Sequence, residues 1–136
     1  MSAPATRQRP RPLSPHLFIY KPIPTMVTSI LHRITGGALY VGTLLVAWWI
    51  TAAAGSEAYF NFVSGIYGSW FGQIVLLGYT WALMFHMLGG IRHFVWDTAS
   101  YMEKHTATKL AWATVAGSLV LTVLIWIAVF VARSGA

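Results

Sequence analysis

The chain has 136 residues, of which 57% are hydrophobic and only 9% are charged. Soluble domains carry nearer ~25% charged residues, so this composition excludes an ordinary soluble protein. The chain has no cysteine, which excludes disulfides and thiolate metal sites. The net charge of +6 comes from basic residues scattered around apolar segments. That placement favours a membrane protein with basic flanks over a protein that binds nucleic acid.

The amino-terminal arm, residues 1–27, differs in composition from everything after it. All six prolines fall within the first 24 residues. Proline removes a backbone donor and clashes with the preceding helical turn, so we predict an irregular arm. Its basic residues are either a docking element for other subunits or a solvated tail; they are Arg7, Arg9, Arg11 and Lys21.

Three apolar segments follow the arm. A hydrocarbon core about 30 Å thick requires roughly 20 apolar residues in a helix, and residues 28–54, 69–95 and 110–131 each meet this requirement. The sequence therefore predicts an all-α membrane protein whose three transmembrane helices form one domain over residues 28–132. Between the first two spans, "SEAYFNFVSGIYGS" predicts an interfacial loop that contains a short amphipathic piece.

The distribution of Lys and Arg predicts the orientation. The arm and the start of the first span carry five of these residues, and the connection after the second span carries three. The opposite side has only Arg133 near the carboxyl terminus. Cytoplasmic flanks hold the excess of basic residues, so we expect a cytoplasmic (or matrix) amino terminus. Of the two membranes, we expect the bacterial inner membrane rather than the mitochondrial one.

Polar residues recur at one predicted depth. Because the first two spans are antiparallel, the start of the first lies level with the end of the second. At a rise of about 1.5 Å per residue, His86 lies roughly 9 Å deeper than Arg92. The helical period places the polar residues and glycines of each span on one stripe: Ser29, His32 or Arg33, Gly36 and Tyr40 on the first, and His86, Gly89 or Gly90, and His93 on the second.

Ionisable residues within a membrane usually mark function, although each of these has a structural alternative. His86 could ligate haem, make a buried hydrogen bond or relay protons. Arg33 and Arg92 could extend to the cytoplasmic surface, and we favour this for Arg92. For His93, which lies next to the membrane interface, a structural role and a functional role are equally favoured. A haem ligated by two histidines is more naturally completed by a partner chain than by His32, and the third span has no histidine.

Three sequence motifs resemble one family. "RPLSPHLFIYK", "TSILHRITG" and "HMLGGIRHFVWD" occur in this order. They are similar to the cytochrome b membrane-anchor subunits of succinate dehydrogenase (respiratory complex II), in their alphaproteobacterial and mitochondrial forms. The resemblance extends from Arg11 through the third span.

The resemblance implies roles for individual residues. His86 corresponds to an axial ligand of haem b, with the second axial histidine supplied by the other small membrane-anchor subunit. His32 and Arg33 correspond to haem-propionate contacts, and His93 lies near the haem. Ser29 and Arg33 correspond to the ubiquinone pocket, near the iron–sulfur subunit.

The function implied is that of an anchor in succinate:ubiquinone oxidoreductase. The chain itself would carry no catalytic residue, because succinate oxidation belongs to the flavoprotein and iron–sulfur subunits. Two alternatives stay open: an anchor of a quinol:fumarate reductase, and a non-redox membrane transporter or scaffold.

Overall fold

The structure is a computed structural model that describes residues 12–135. A 3-10 helix at His16–Ile19 precedes four α-helices: α1 (Pro24–Ala53), α2 (Glu57–Gly68), α3 (Trp70–Asp97) and α4 (Lys104–Ser134). α1, α3 and α4 are long and apolar enough to cross a membrane. The predicted all-α fold with three spanning helices is thereby confirmed. The arm residues Arg7, Arg9 and Arg11 lie outside the described residues.

The spanning helices are longer than the apolar segments from which they were predicted. α1 begins at Pro24, where the fixed φ of proline suits the first helical position. α4 begins at Lys104 and includes a polar first turn and a half before its apolar part. Hydropathy marks only the hydrocarbon core, whereas a helix can continue into the polar interface. Helices of about 30 residues extend about 45 Å, so their ends project beyond a core of about 30 Å.

The short piece predicted between the first two spans is helix α2. The side chain of Ser56 caps its start by accepting a hydrogen bond from the amide of Tyr59. The hydroxyl of Ser69 accepts from the amide of Gly72 and so caps α3. A Cβ at Gly72 would overlap the backbone of α2, so glycine is required at this sharp reversal of the chain.

The interior of the bundle is built from small and hydroxyl-bearing residues, while most large apolar side chains face outward. The buried residues of α4 are Ala107, Ala111, Thr114, Ser118 and Thr122. The hydroxyls of Thr114 and Thr122 donate to backbone carbonyls one turn earlier. Small residues allow membrane helices to approach closely, and here they bring α3 against both α1 and α4.

The register between α1 and α3 is fixed in the half of the bundle near α2. The ring of Tyr79 lies against Gly42, where a Cβ would overlap it. In the same region, the hydroxyl of Tyr67 donates to the carbonyl of Leu45 and joins α2 to α1. These contacts align the two helices along their length, and the polar residues at the opposite end are brought level.

Candidate functional site

Two imidazole rings contact each other where α1 and α3 meet. The rings of His32 and His86 are stacked, with 4.0 Å between their centroids and 12° between their planes. Nε2 of His32 donates to the carbonyl of His86 at 3.2 Å. Nδ1 of His86 donates in turn to the carbonyl of His32 at 3.1 Å. The prediction that these two histidines lie at one depth is confirmed.

These hydrogen bonds determine which nitrogen of His86 can bind a metal. A carbonyl only accepts hydrogen bonds, so Nδ1 of His86 carries the proton in this contact. In a neutral imidazole the other nitrogen, Nε2, then keeps its lone pair. A backbone carbonyl bonded to the remote N–H is the usual partner of a metal-ligating histidine, because it fixes the tautomer and the ring orientation. In this tautomer, Nε2 is the nitrogen of His86 that could bind a metal.

One glycine of each predicted pair makes room for the stacked rings. A Cβ at Gly89 would overlap the ring of His32, and one at Gly36 would lie 3.0 Å from Cε1 of His86. The second glycines, Gly37 and Gly90, have nothing within 4 Å of an added Cβ. The close approach of the helices at this level therefore depends on Gly36 and Gly89.

This difference gives a matched pair of substitutions. Gly89→Ala should displace His32 and destabilise the bundle by about 1–3 kcal/mol, the usual cost of overpacking. Gly90→Ala should be neutral or stabilising by about 0.5–1 kcal/mol, because alanine is the better helix former. The thermal unfolding midpoints of the two purified variants in detergent measure the difference. Equal midpoints would show that the ring of His32 is not held against α3.

Ser29 and Arg33 lie on a different stripe of α1 from His32. Ser29 is half-buried and Arg33 is exposed. Further along, Tyr40 is 78% exposed, and Gly37 faces open space. The single stripe predicted for α1 is therefore divided: His32 faces α3, whereas Arg33 faces outward, where another subunit can reach it.

The prediction that Arg92 extends to the surface is wrong. The residue is only 4% exposed. Its Nη1 donates to the hydroxyl of Thr28 at 2.8 Å, and its guanidinium carbon lies 5.0 Å from the ring centroid of Trp96. Thr28 precedes His32 by one helical turn on the same face of α1, so a hydrogen-bond acceptor is available inside the bundle. That spacing was the signal that sequence reasoning missed.

His93 completes the histidine cluster. Its side chain is exposed, and its ring lies edge-on to that of His32 with 5.3 Å between centroids. Its centroid is 5.5 Å from that of Trp96 on the same helix. Residues 12–135 contain no group of three side chains that could enclose a metal ion. The cluster therefore contains three imidazoles, of which His86 has an Nε2 that could bind a metal. Arg33 is exposed on α1 at the same end of the bundle.

Comparison with known proteins identifies the chain. Residues 7–125 match the family described as succinate dehydrogenase/fumarate reductase transmembrane subunit. The chain belongs to this family. It is 45% identical to the succinate dehydrogenase cytochrome b556 subunit of Paracoccus denitrificans over 121 residues, which cover 89% of this chain and 93% of that protein.

More distant relatives carry similar names. The succinate dehydrogenase cytochrome b556 subunit of Rickettsia conorii is 34% identical over 117 residues, covering 86% of this chain and 91% of the relative. The mitochondrial succinate dehydrogenase cytochrome B subunit of Schizosaccharomyces pombe is 32% identical over 121 residues, covering 85% of this chain and 67% of the relative. The predicted resemblance is confirmed, and with it the role of a transmembrane anchor in an enzyme complex of this family.

Proposed function

We propose that this chain is a membrane-anchor subunit of succinate:ubiquinone oxidoreductase that binds haem b together with a second small anchor subunit and forms part of the ubiquinone site. The observation that carries the proposal is the hydrogen bond from Nδ1 of His86 to the carbonyl of His32. It leaves Nε2 as the ligating atom on a ring that two helices hold in place. The cytochrome names of the relatives agree with a b-type haem.

The residues of the cluster fit a haem shared between two chains. His86 would hold the haem iron through its imidazole, and the partner anchor would supply a second imidazole. When bound, the haem supplies a one-electron carrier. The chain orients His86 through His32, whose own Nε2 proton is already donated to a carbonyl. Arg33 is accordingly the more direct donor to a propionate, and His32 and His93 would lie near the haem.

The proposed quinone site uses Ser29 and Arg33. They are four residues apart on α1 and share a stripe, so a hydroxyl and a guanidinium can reach the same ligand. Quinone reduction places negative charge on the carbonyl oxygens, and donors fixed in a low-dielectric site stabilise that charge. Arginine keeps its charge in such a site, where a buried lysine tends to lose its proton.

The other subunits of the proposed complex are a flavoprotein and an iron–sulfur protein. The basic end of the bundle, with Lys21, Lys104 and Lys109, would face them. Removing this chain from its host should release dye-linked succinate oxidation from the membrane fraction and abolish succinate:quinone reduction there. Both activities should return with the wild-type chain. Membrane-bound quinone reduction that persists without the chain would contradict the proposal.

The chain expressed alone should show no succinate-dependent dye reduction, because succinate oxidation lies on the other subunits. Dye reduction by the isolated chain would refute the anchor function.

A comparison of succinate oxidation with fumarate reduction by the whole complex measures the direction of catalysis. A quinol:fumarate reductase, which the family description also covers, would reduce fumarate faster than it oxidises succinate. The names of the relatives favour succinate oxidation, and family membership argues against a non-redox transporter or scaffold.

The proposed topology places the arm, residues 1–27, in the cytoplasm, with the three-helix domain of residues 28–132 in the bacterial inner membrane. A reporter that is active only outside the cytoplasm should be active when fused after Ser64 in α2. It should be silent when fused after Glu103, between α3 and α4. The reverse pattern would overturn the positive-inside assignment and place the proposed quinone site on the other side of the membrane.

A further inference from the structure

Arg92 is a buried cation without an anionic partner among residues 12–135. Its side chain is 4% exposed. Nη1 donates to the neutral hydroxyl of Thr28, and Nε is buried without any hydrogen-bond partner in residues 12–135. A buried guanidinium is normally paired with a carboxylate or hydrogen-bonded through all its N–H groups, because burial of an unpaired charge is costly.

The carboxylates of the chain do not neutralise this charge. There are only three, at Glu57, Asp97 and Glu103, and all are exposed. Glu57 begins α2 at the opposite end of α1 and α3. Arg92 also lies over the face of Trp96, which attracts a cation but carries no net charge.

The surroundings add positive potential. α1 and α4 both begin at this end of the bundle, neither with a side-chain cap, whereas only α3 ends there, so two positive helix starts outnumber one negative helix end. The unpaired amides of a helix start carry partial positive charge. Thr28 shares the wall of a cavity with Ala111 of α4, so Arg92, α1 and α4 converge. A positive region of this kind stabilises added negative charge. The proposed haem lies at this end of the bundle, so an electron added to it would be stabilised.

We propose that Arg92 is a fixed internal cation that raises the reduction potential of the haem held by His86. The inference rests on the proposed haem-binding function. Arg92 lies six residues from His86 on the same helix, about 9 Å along its axis. Because the guanidinium is held between α1 and Trp96 and shielded from solvent, salt and water screen it poorly. Its field favours the form of the haem that carries one more electron.

The size of the effect follows from Coulomb's law. A unit charge about 9 Å away, at an effective dielectric constant of about 20, changes an equilibrium constant by about twentyfold. For a one-electron couple this corresponds to about 80 mV. Removal of the charge should therefore lower the haem midpoint potential by up to about this amount, without removing the haem.

Four variants of the assembled complex separate charge from hydrogen bonding. Arg92→Gln removes the cation, and Thr28→Asp keeps it but places a carboxylate beside Nη1, so both should lower the haem midpoint potential. Thr28→Asn changes the partner of Arg92 without adding charge and should stay near the wild-type potential. A lysine at this buried position can lose its proton, so Arg92→Lys should give a potential between those of the wild type and Arg92→Gln. The measurement is a spectroelectrochemical titration of the b-type band, normalised to haem content.

The outcomes are distinguishable. If Arg92→Gln does not assemble, Thr28→Asp against Thr28→Asn still decides the question. Wild-type potentials in every charge-changing variant that binds haem would overturn the inference, as would equal shifts in Thr28→Asp and Thr28→Asn, which would indicate a packing effect. A wild-type complex that has no b-type band would instead refute the proposed function itself, and the inference with it.

Discussion

His86→Ala is expected to abolish the b-type haem band of the assembled complex. The substitution removes the imidazole whose Nε2 is prepared for ligation, and no other side chain of the site can take over. His32 is engaged with the backbone of α3 through its Nε2, and His93 lies about two turns further along the helix, toward its end. The reduced-minus-oxidised spectrum of the purified variant, normalised to complex, measures the loss.

The matched control is His105→Ala. His105 is exposed in the first turn of α4, so its removal should leave the band at wild-type intensity. Assembly is scored separately, by co-purification of the other subunits, because loss of haem and loss of the complex are different results. A full-intensity band in the His86→Ala complex would show that the ligand assignment is wrong.

Arg33→Leu is expected to cause the largest loss of quinone reduction among substitutions that retain the complex. A hydrogen bond between neutral groups contributes about 0.5–1.5 kcal/mol, and bonds to charged groups contribute roughly twice as much. Ser29→Ala should therefore lower succinate:quinone activity by about two- to tenfold. Arg33→Leu should lower it by about ten- to a hundredfold.

The control for Arg33→Leu is Arg133→Leu, which removes a charge from the last turn of α4, at the opposite end of the bundle. It should leave quinone reduction unchanged. Succinate oxidation with a dye that accepts electrons before the quinone should be spared in all three variants. If dye and quinone activities fall together, Ser29 and Arg33 hold the complex together and do not form the quinone site. If neither falls, the site lies elsewhere.

The main features of the fold could be predicted from sequence because hydrophobic length dominates the energetics of a membrane protein. A segment that matches the hydrocarbon core has few alternatives to a spanning helix, so α1, α3 and α4 were all found. Their ends were not, because hydropathy carries no signal for a helix that continues into the polar interface. The cap formed by Ser69 and the reversal at Gly72 depend on atomic fit, which the sequence does not display.

The sequence predicted the depth of the histidine site within the membrane, but only some of its side-chain orientations. Antiparallel spans place His32 level with His86 whatever the packing, and the structure bears this out. Which of His32 and Arg33 faces α3 depends on the rotation of α1 about its axis. The helical period alone allowed either residue on the polar stripe. The burial of Arg92 was missed because a long side chain near a helix end was expected to reach water. Thr28 offered a nearer acceptor on the neighbouring helix.

The most direct test of the proposed function is a difference spectrum of the purified wild-type complex, with succinate as the reductant. We expect succinate to reduce a b-type haem that co-purifies with this chain, at one haem per copy, and subsequent addition of ubiquinone to reoxidise it. A complex that contains this chain and oxidises succinate but shows no b-type band would contradict the assignment of His86 and the haem-binding function proposed for the chain.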